Sequence, residues 1–255
     1  MTLTAMGDLL PASMRVERTC EKHGDYVAFE IKGHAPCPTC FDQQKRDEAM
    51  AKEISDRVEG RARHAKAISE TVPLRFRDKS FADYRADTDK QRRALAVCQR
   101  FADEFDVALR EGRNLMLFGS PGTGKTHLAA AIATTVARLG YEAHFTTVSA
   151  MMRRIRATYD RSSPETEWKV LSSLADLDLL VIDEIQLLRG TEHEQSMIFD
   201  TVNARYENMK PTILAGNVMN REQAIQHLGE APYDKLREAC EPVLFDWKSH
   251  RGGEA

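Results

Sequence analysis

The sequence predicts an α/β fold: a parallel sheet between helices, with a small separate module and a helical connector in front of it. Three observations predict this. From about Val72 onward, short apolar runs alternate with helical patterns. One of those runs leads directly into a Gly-rich turn and a helix of small residues. Ahead of them all, CEKHGDYVAFEIKGHAPCPTC (20–40) carries two closely spaced Cys/His pairs and too few apolar groups for a core of its own.

Composition divides the 255 residues into 1–41, 42–73 and 74–255. The length suits one well-buried domain plus a smaller appendage. Hydrophobic residues make up 42% and charged residues 29%, as in ordinary globular chains. The net charge of −3 excludes a global positive field, so any nucleic-acid contact must come from a local patch. No apolar run approaches the ~20 residues of a membrane span. The first residues lack the basic start and apolar stretch of a secretory signal. No membrane association and a cytoplasmic location are therefore expected, a setting in which cysteines stay reduced. Cys98 and Cys240 then read as small buried groups, and Cys20, Cys37 and Cys40 as metal ligands.

In residues 1–41, Cys20 and His23 form a C-x2-H pair, and Cys37 and Cys40 a C-x2-C pair. Tetrahedral zinc takes four thiolate or imidazole ligands, often as two such pairs, because a short loop lets both side chains reach one ion. YVAFEI reads as a strand and KGH as a turn between the pairs. His34 ranks below His23 because it breaks the paired spacing. With all four ligand positions filled, the site would be structural. The alternative is a set of reduced cysteines without metal. Residues 42–73 follow as a linker. FDQQKRDEAMAKEISDRVEGRARHAKAISE holds seven basic and seven acidic residues and reads as a solvated helix.

Within 74–255 the expected strands are NLMLFG (114–119), AHFTTV (143–148), DLLVID (178–183) and PTILAGN (211–217), with VLFDW (243–247) as one more. After the first comes GSPGTGKT: Gly119, Ser120, Pro121, Gly122, Thr123, Gly124, Lys125 and Thr126. This matches G-x-x-x-x-G-K-[ST] between a strand and a helix, the context that makes a phosphate loop. Glycines let the backbone turn successive N–H groups toward the phosphates of ATP. Lys125 adds a point charge, Thr126 offers its hydroxyl to Mg2+, and the following helix directs its positive end at the anion. LDLLVIDE supplies an acidic pair behind a buried strand. Asp183 would hold Mg2+ and Glu184 would polarise the attacking water. Asn217, ending the next strand, would position that water, or it is a turn residue.

VSAMMRRIRATYDR (148–161) places Arg153, Arg154 and Arg156 on one short helical stretch with one acid, Asp160. Guanidinium groups there can neutralise single-stranded DNA phosphates without reading sequence, or form a solvated basic face.

GSPGTGKTHLAAAIA, DLLVIDEI, the strand ending in Asn217, SFADYR (80–85) and the tail VLFDWKSHR together resemble the AAA+ ATPases of the DnaC/DnaI helicase-loader group. The resemblance covers about residues 74–251. It implies an AAA+ P-loop NTPase with a parallel sheet between helices, ATP bound between self-associating subunits, and weak, DNA-stimulated hydrolysis. It further implies contact with single-stranded DNA near Arg153–Arg156 and placement of a replicative hexameric helicase on DNA during replication initiation. In that group the N-terminal region grips the helicase, and DnaI-type members carry a zinc-binding version. The initiator DnaA shares the core but adds a DNA-binding helical domain, for which too few residues follow Asn217; a reduced or absent lid is expected for the same reason. The transposition helpers of the IstB type also share the core, so an ATPase that binds duplex DNA is the alternative. The group carries a trans-acting arginine in a GER…DR segment. The matching stretch here is LGEAPYDKLRE, with Ala231 and Lys235 at those positions and Arg237 two residues on. Arg237, or less efficiently Lys235, is expected to act in the neighbouring subunit's site. Phe81 and Tyr84 would flank the adenine, or pack in the core.

Overall fold

The computed structural model describes residues 15–29 and 34–250. Two compact units emerge, Met1–Glu59 and Gly60–Ala255.

In the first unit, β1 (Arg15–Cys20) pairs antiparallel with β2 (Gly24–Phe29), Cys20 opposite Gly24. Between them Glu21–His23 turn the chain, and Gly24 continues it at φ +74°. Tyr26 donates its hydroxyl to the Ala35 carbonyl at 2.7 Å, tying the hairpin to the segment before Cys37. Glu30 and Ile31, the end of the expected strand, and Lys32 and Gly33 of the expected turn lie outside the described residues. Helix α1 (Pro38–Thr71) starts at the second cysteine pair and is polar along most of its length. Among the described residues of this unit, only Ala28 and Cys37 are buried apolar groups.

The second unit takes in the last turns of α1. There the sequence reads as a solvated helix, but Ile68 and the following Val72, four residues apart, are both buried in the main core. The sheet consists of β3 (Asn114–Gly119), β4 (Ala143–Thr147), β5 (Leu179–Asp183), β6 (Thr212–Gly216) and β7 (Cys240–Phe245), in the order β4-β5-β6-β3-β7. Every pairing is parallel. Every residue of β5 and β6 is buried, which is why those strands are unbroken apolar runs. Alternation along the strands feeds two cores. Leu115, Leu117, Val181, Ile213 and Ala215 face α2 (Asp89–Asp103), α3 (Phe105–Glu111) and α4 (Lys125–Leu139). Met116, Leu180, Ile182 and Leu214 face α5 (Val148–Ala157), α6 (Glu167–Asp176) and α7 (Glu192–Glu207).

Two short helices, α8 (Arg221–Leu228) and α9 (Glu230–Glu238), connect β6 to β7. No helix follows β7 among the described residues. Threonines cap α5, α6 and α7: Thr147, Thr166 and Thr191 accept from the N–H groups of Ala150, Lys169 and Glu194. Edge strand β4 is partly covered, since Phe145 donates its N–H to the Thr71 hydroxyl at 3.2 Å.

Arg205 of α7 is 1% exposed and is a hub of this unit. It donates to the carbonyls of Leu174 (2.7 Å), Ala175 (3.2 Å), Leu177 (2.9 Å) and Pro211 (2.5 Å), and to the Thr212 hydroxyl (2.9 Å). The cation thus satisfies the orphan carbonyls at the C-terminal end of α6 and fixes the start of β6. Burial pulls its pKa down to about 9, against the opposing pull of Asp178 and Asp176. Arg205→Met should strand those carbonyls and cost about 3 kcal/mol. Urea unfolding would read this as a lower midpoint at unchanged slope.

Candidate functional site

The crossover from β3 to β4 leaves the C-terminal end of β3 at the switch in strand order, where open α/β sheets bind ligands. A cleft of about 290 Å³ opens there, lined by the phosphate loop, Asp183, Glu184, Gln186, Gly216 and Asn217, by residues from 75–85, and by His127 and His250.

Gly119 ends β3 at φ +139°, and a Cβ there would lie 2.2 Å from the Phe245 carbonyl oxygen, so only glycine fits. The loop then curls through positive φ at Gly122 and Gly124 into α4. Lys125 is 6% exposed and its ammonium lies across the loop. It donates to the carbonyls of Gly119 (3.0 Å) and Ser120 (2.6 Å). The cation is thus tied to carbonyls of the loop itself.

Thr126 donates its hydroxyl to Asp183 Oδ2 at 2.7 Å, and Asp183 Oδ1 accepts the Glu184 N–H at 2.7 Å. A hydroxyl and a carboxylate converging next to a phosphate cradle are the hard oxygen donors Mg2+ takes, with room for waters and phosphate oxygens. Glu184 has left-handed backbone angles, φ 62° and ψ 38°, which are uncommon for a non-glycine residue. Burial, and then the Asp183 charge, raise its pKa above the ordinary glutamate range. Asn217 is exposed and lines the same cleft.

Sequence reasoning missed Gln186. Its Oε1 accepts the Asn217 N–H at 2.9 Å and so joins the turn after β5 to the end of β6. A Cβ on Gly216 would lie 2.5 Å from Ile185 Cγ1, so this approach requires glycine. A polar residue three positions after Asp183 was the one available signal. Of the two aromatic residues expected at the adenine, Tyr84 lines the cleft and Phe81 packs against the core. Tyr84 stands edge-on to His127 and to His250, with centroids 5.7 and 5.9 Å away.

Lys235 and Arg237 both lie on α9 and neither lines this chain's own cleft. Lys235 donates to Asn203 Oδ1 and sits over the Tyr206 ring at 5.0 Å. Arg237 is exposed, with Asp234 3.8 Å away. Among the three α5 arginines, Arg153 and Arg156 are exposed. Arg154 instead grips Glu165 through two bonds of 3.1 and 2.6 Å. The basic patch is therefore smaller than the sequence implies, because Glu165 returns to α5 from the loop before α6.

In the first unit, Cys20, His23, Cys37 and Cys40 come together, their ligand atoms all within 4.8 Å of one another. The Cys20 and Cys40 sulfurs are 3.6 Å apart. His23 Nδ1 lies 3.6, 3.7 and 3.3 Å from the sulfurs of Cys20, Cys37 and Cys40. A zinc tetrahedron with ~2.3 Å Zn–S and ~2.0 Å Zn–N bonds has edges of about 3.5–3.8 Å. The donors therefore fit zinc, with Nδ1 as the imidazole ligand atom.

The profile of the family described as "IstB-like ATP binding protein" matches residues 41–252, starting just after the last cysteine of that cluster. The Escherichia coli K12 protein named replicative helicase loader DnaC is 34% identical over 173 residues, 68% of this chain and 69% of that one. The crystal structure of the DnaC helicase loader superposes with a TM-score of 0.59 at 25% identity, covering 68% of this chain and all of that one. The DnaI crystal structure has the same fold, with a TM-score of 0.56 at 22% identity over 70% of this chain and 94% of that one. With its phosphate loop, acidic pair and parallel sheet, this chain belongs to the IstB/DnaC family of ATP-binding AAA+ ATPases.

Proposed function

We propose that this protein loads a replicative hexameric DNA helicase onto single-stranded DNA at replication initiation, under the control of ATP. The observation that carries the reading is the convergence of Lys125, Thr126, Asp183 and Glu184 on one cleft, in a chain 34% identical to a replicative helicase loader. The loop N–H groups and Lys125 bind the phosphates. Thr126 and Asp183 would hold Mg2+, which would supply positive charge against the phosphates. Glu184 accepts a proton from water as the water oxygen attacks the γ phosphorus. The bond to the bridging oxygen breaks, leaving ADP and phosphate. Asn217, fixed by Gln186, orients that water.

The reading extends to the assembly and its partners. Subunits associate in the cytoplasm so that Arg237, or Lys235, reaches a neighbour's γ phosphate. Arg153 and Arg156 contact the single strand. Cys20, His23, Cys37 and Cys40 hold a structural zinc, and that module docks on the helicase through the α1 tether. The family description itself favours a second reading, an IstB-like transposition helper that coats duplex DNA.

Native mass spectrometry of the zinc-loaded protein with its own cell's replicative helicase and ATP tests the proposal. A defined complex on the helicase hexamer is expected, with single-stranded DNA preferred. No complex, with assembly on duplex DNA instead, would move the assignment to the transposition helper. In the assembly, Arg237→Ala should cut DNA-stimulated hydrolysis by about 10²-fold or more with ATP binding retained. Unchanged hydrolysis would exclude Arg237 as the trans residue.

A further inference from the structure

In a phosphate loop the N–H groups that bind the anion point inward, which requires the carbonyls between them to point out. One carbonyl in this loop is held by side chains far away in the chain. The Thr123 oxygen accepts the Tyr84 hydroxyl at 3.0 Å and the Trp247 indole N–H at 3.2 Å. Two donors occupy both lone pairs of that oxygen. Tyr84 precedes the sheet and Trp247 follows its last strand, so the loop is gripped from both sides of the sequence.

The surrounding contacts point the same way. The Gly122 carbonyl accepts the His250 N–H at 2.8 Å, so a second carbonyl of the loop is held from outside it. The Tyr84 ring lies where a Cβ on Gly124 would be, 2.4 Å from its Cε2. Tyr84 is 7% exposed, and burial raises its pKa, keeping the phenol a neutral donor. Trp247 packs on Phe245, with ring centroids 4.8 Å apart.

We infer that Tyr84 and Trp247 are positioning residues for nucleotide binding: their converging donors pin the Thr123 carbonyl outward and keep the phosphate cradle open. This rests on the phosphate-loop reading of the cleft and is independent of the helicase. It predicts that the donors act on the phosphates and not on the base.

Tyr84→Phe and Trp247→Phe keep an aromatic ring and remove one donor each. Calorimetric titration of the full chain with Mg2+ would compare ATP with inorganic tripolyphosphate, which has no base. Each single variant should raise Kd about three- to tenfold, and the double variant by tenfold or more, equally for both probes. In turnover the loss should fall on KM more than on kcat. A loss confined to ATP would make these residues base contacts and overturn the inference. No loss with either probe would make them packing groups only and overturn it equally. Wild-type protein that binds neither probe, matching Lys125→Ala, would instead overturn the phosphate-loop reading itself.

Discussion

Glu184→Gln should lower ATP turnover by about 10³-fold while ATP still binds. The substitution keeps the size and hydrogen-bonding reach of the side chain and removes its ability to take a proton. Nucleotide affinity depends on Lys125 and the loop, which the change does not touch. The pH profile supplies a second readout. Burial and the Asp183 charge raise the pKa of Glu184, so its protonated, inactive form persists to higher pH than for an ordinary glutamate. The wild-type rate should therefore fall as pH drops through that raised value, and the acid limb should lie above the usual glutamate range. The residual rate of Glu184→Gln should lack the limb. A stopped-flow phosphate-release assay across pH would measure both. Turnover within tenfold of wild type would remove Glu184 from the chemistry.

Stripping zinc, or replacing Cys37 with Ser, should unfold the β1–β2 hairpin, residues 15–29, and leave the ATP site intact. The physical reason is the size of the core there. Among its described residues, Ala28 and Cys37 are the buried apolar side chains of the first unit, and a single hairpin is marginal in water. Zinc binding supplies about 10–16 kcal/mol in modules of this kind, far more than two small groups can. The metal would also reorder the thiols. Cys20 lies down at about 6, mainly through the Lys22 N–H and then His23, whereas Cys40 is pushed up to about 11, mainly by Cys20. A cation among the sulfurs would hold Cys40 as a thiolate beside Cys20 near neutral pH. Elemental analysis should give one zinc per chain. Hydrogen exchange should show residues 15–29 losing protection on chelation while β3, β5 and β6 keep theirs. Protection in 15–29 that survives chelation would show that the module folds without metal.

The sheet was legible wherever strands are buried on both faces. NLMLFG, DLLVID and PTILAGN match β3, β5 and β6 within a residue, because a strand covered on both sides must be apolar throughout. β7 was legible only in its second half. It starts at Cys240 rather than Val243, and its first residues include Glu241 and Pro242. An edge strand tolerates both, and Glu241 is held there by Arg100 at 2.8 Å. The end of α1 was misread as solvated, since two apolar residues, Ile68 and Val72, are too few to register against a charged helix.

The sequence alone determined the chemistry whose geometry is local. A phosphate loop needs its glycines, lysine and threonine within a single turn. Two ligands on one short loop need x2 spacing, and an acidic pair needs the strand directly before it. Bond lengths and backbone reach fix these spacings, so they appear as motifs. The tertiary structure alone decided everything that depends on which surfaces meet. Examples are the paired donors from Tyr84 and Trp247 on one carbonyl, Gln186 on Asn217, Glu165 drawing Arg154 aside, and Arg205 closing the end of α6. Each joins residues from separate elements, and no periodicity or spacing along the chain encodes a contact that only folding creates.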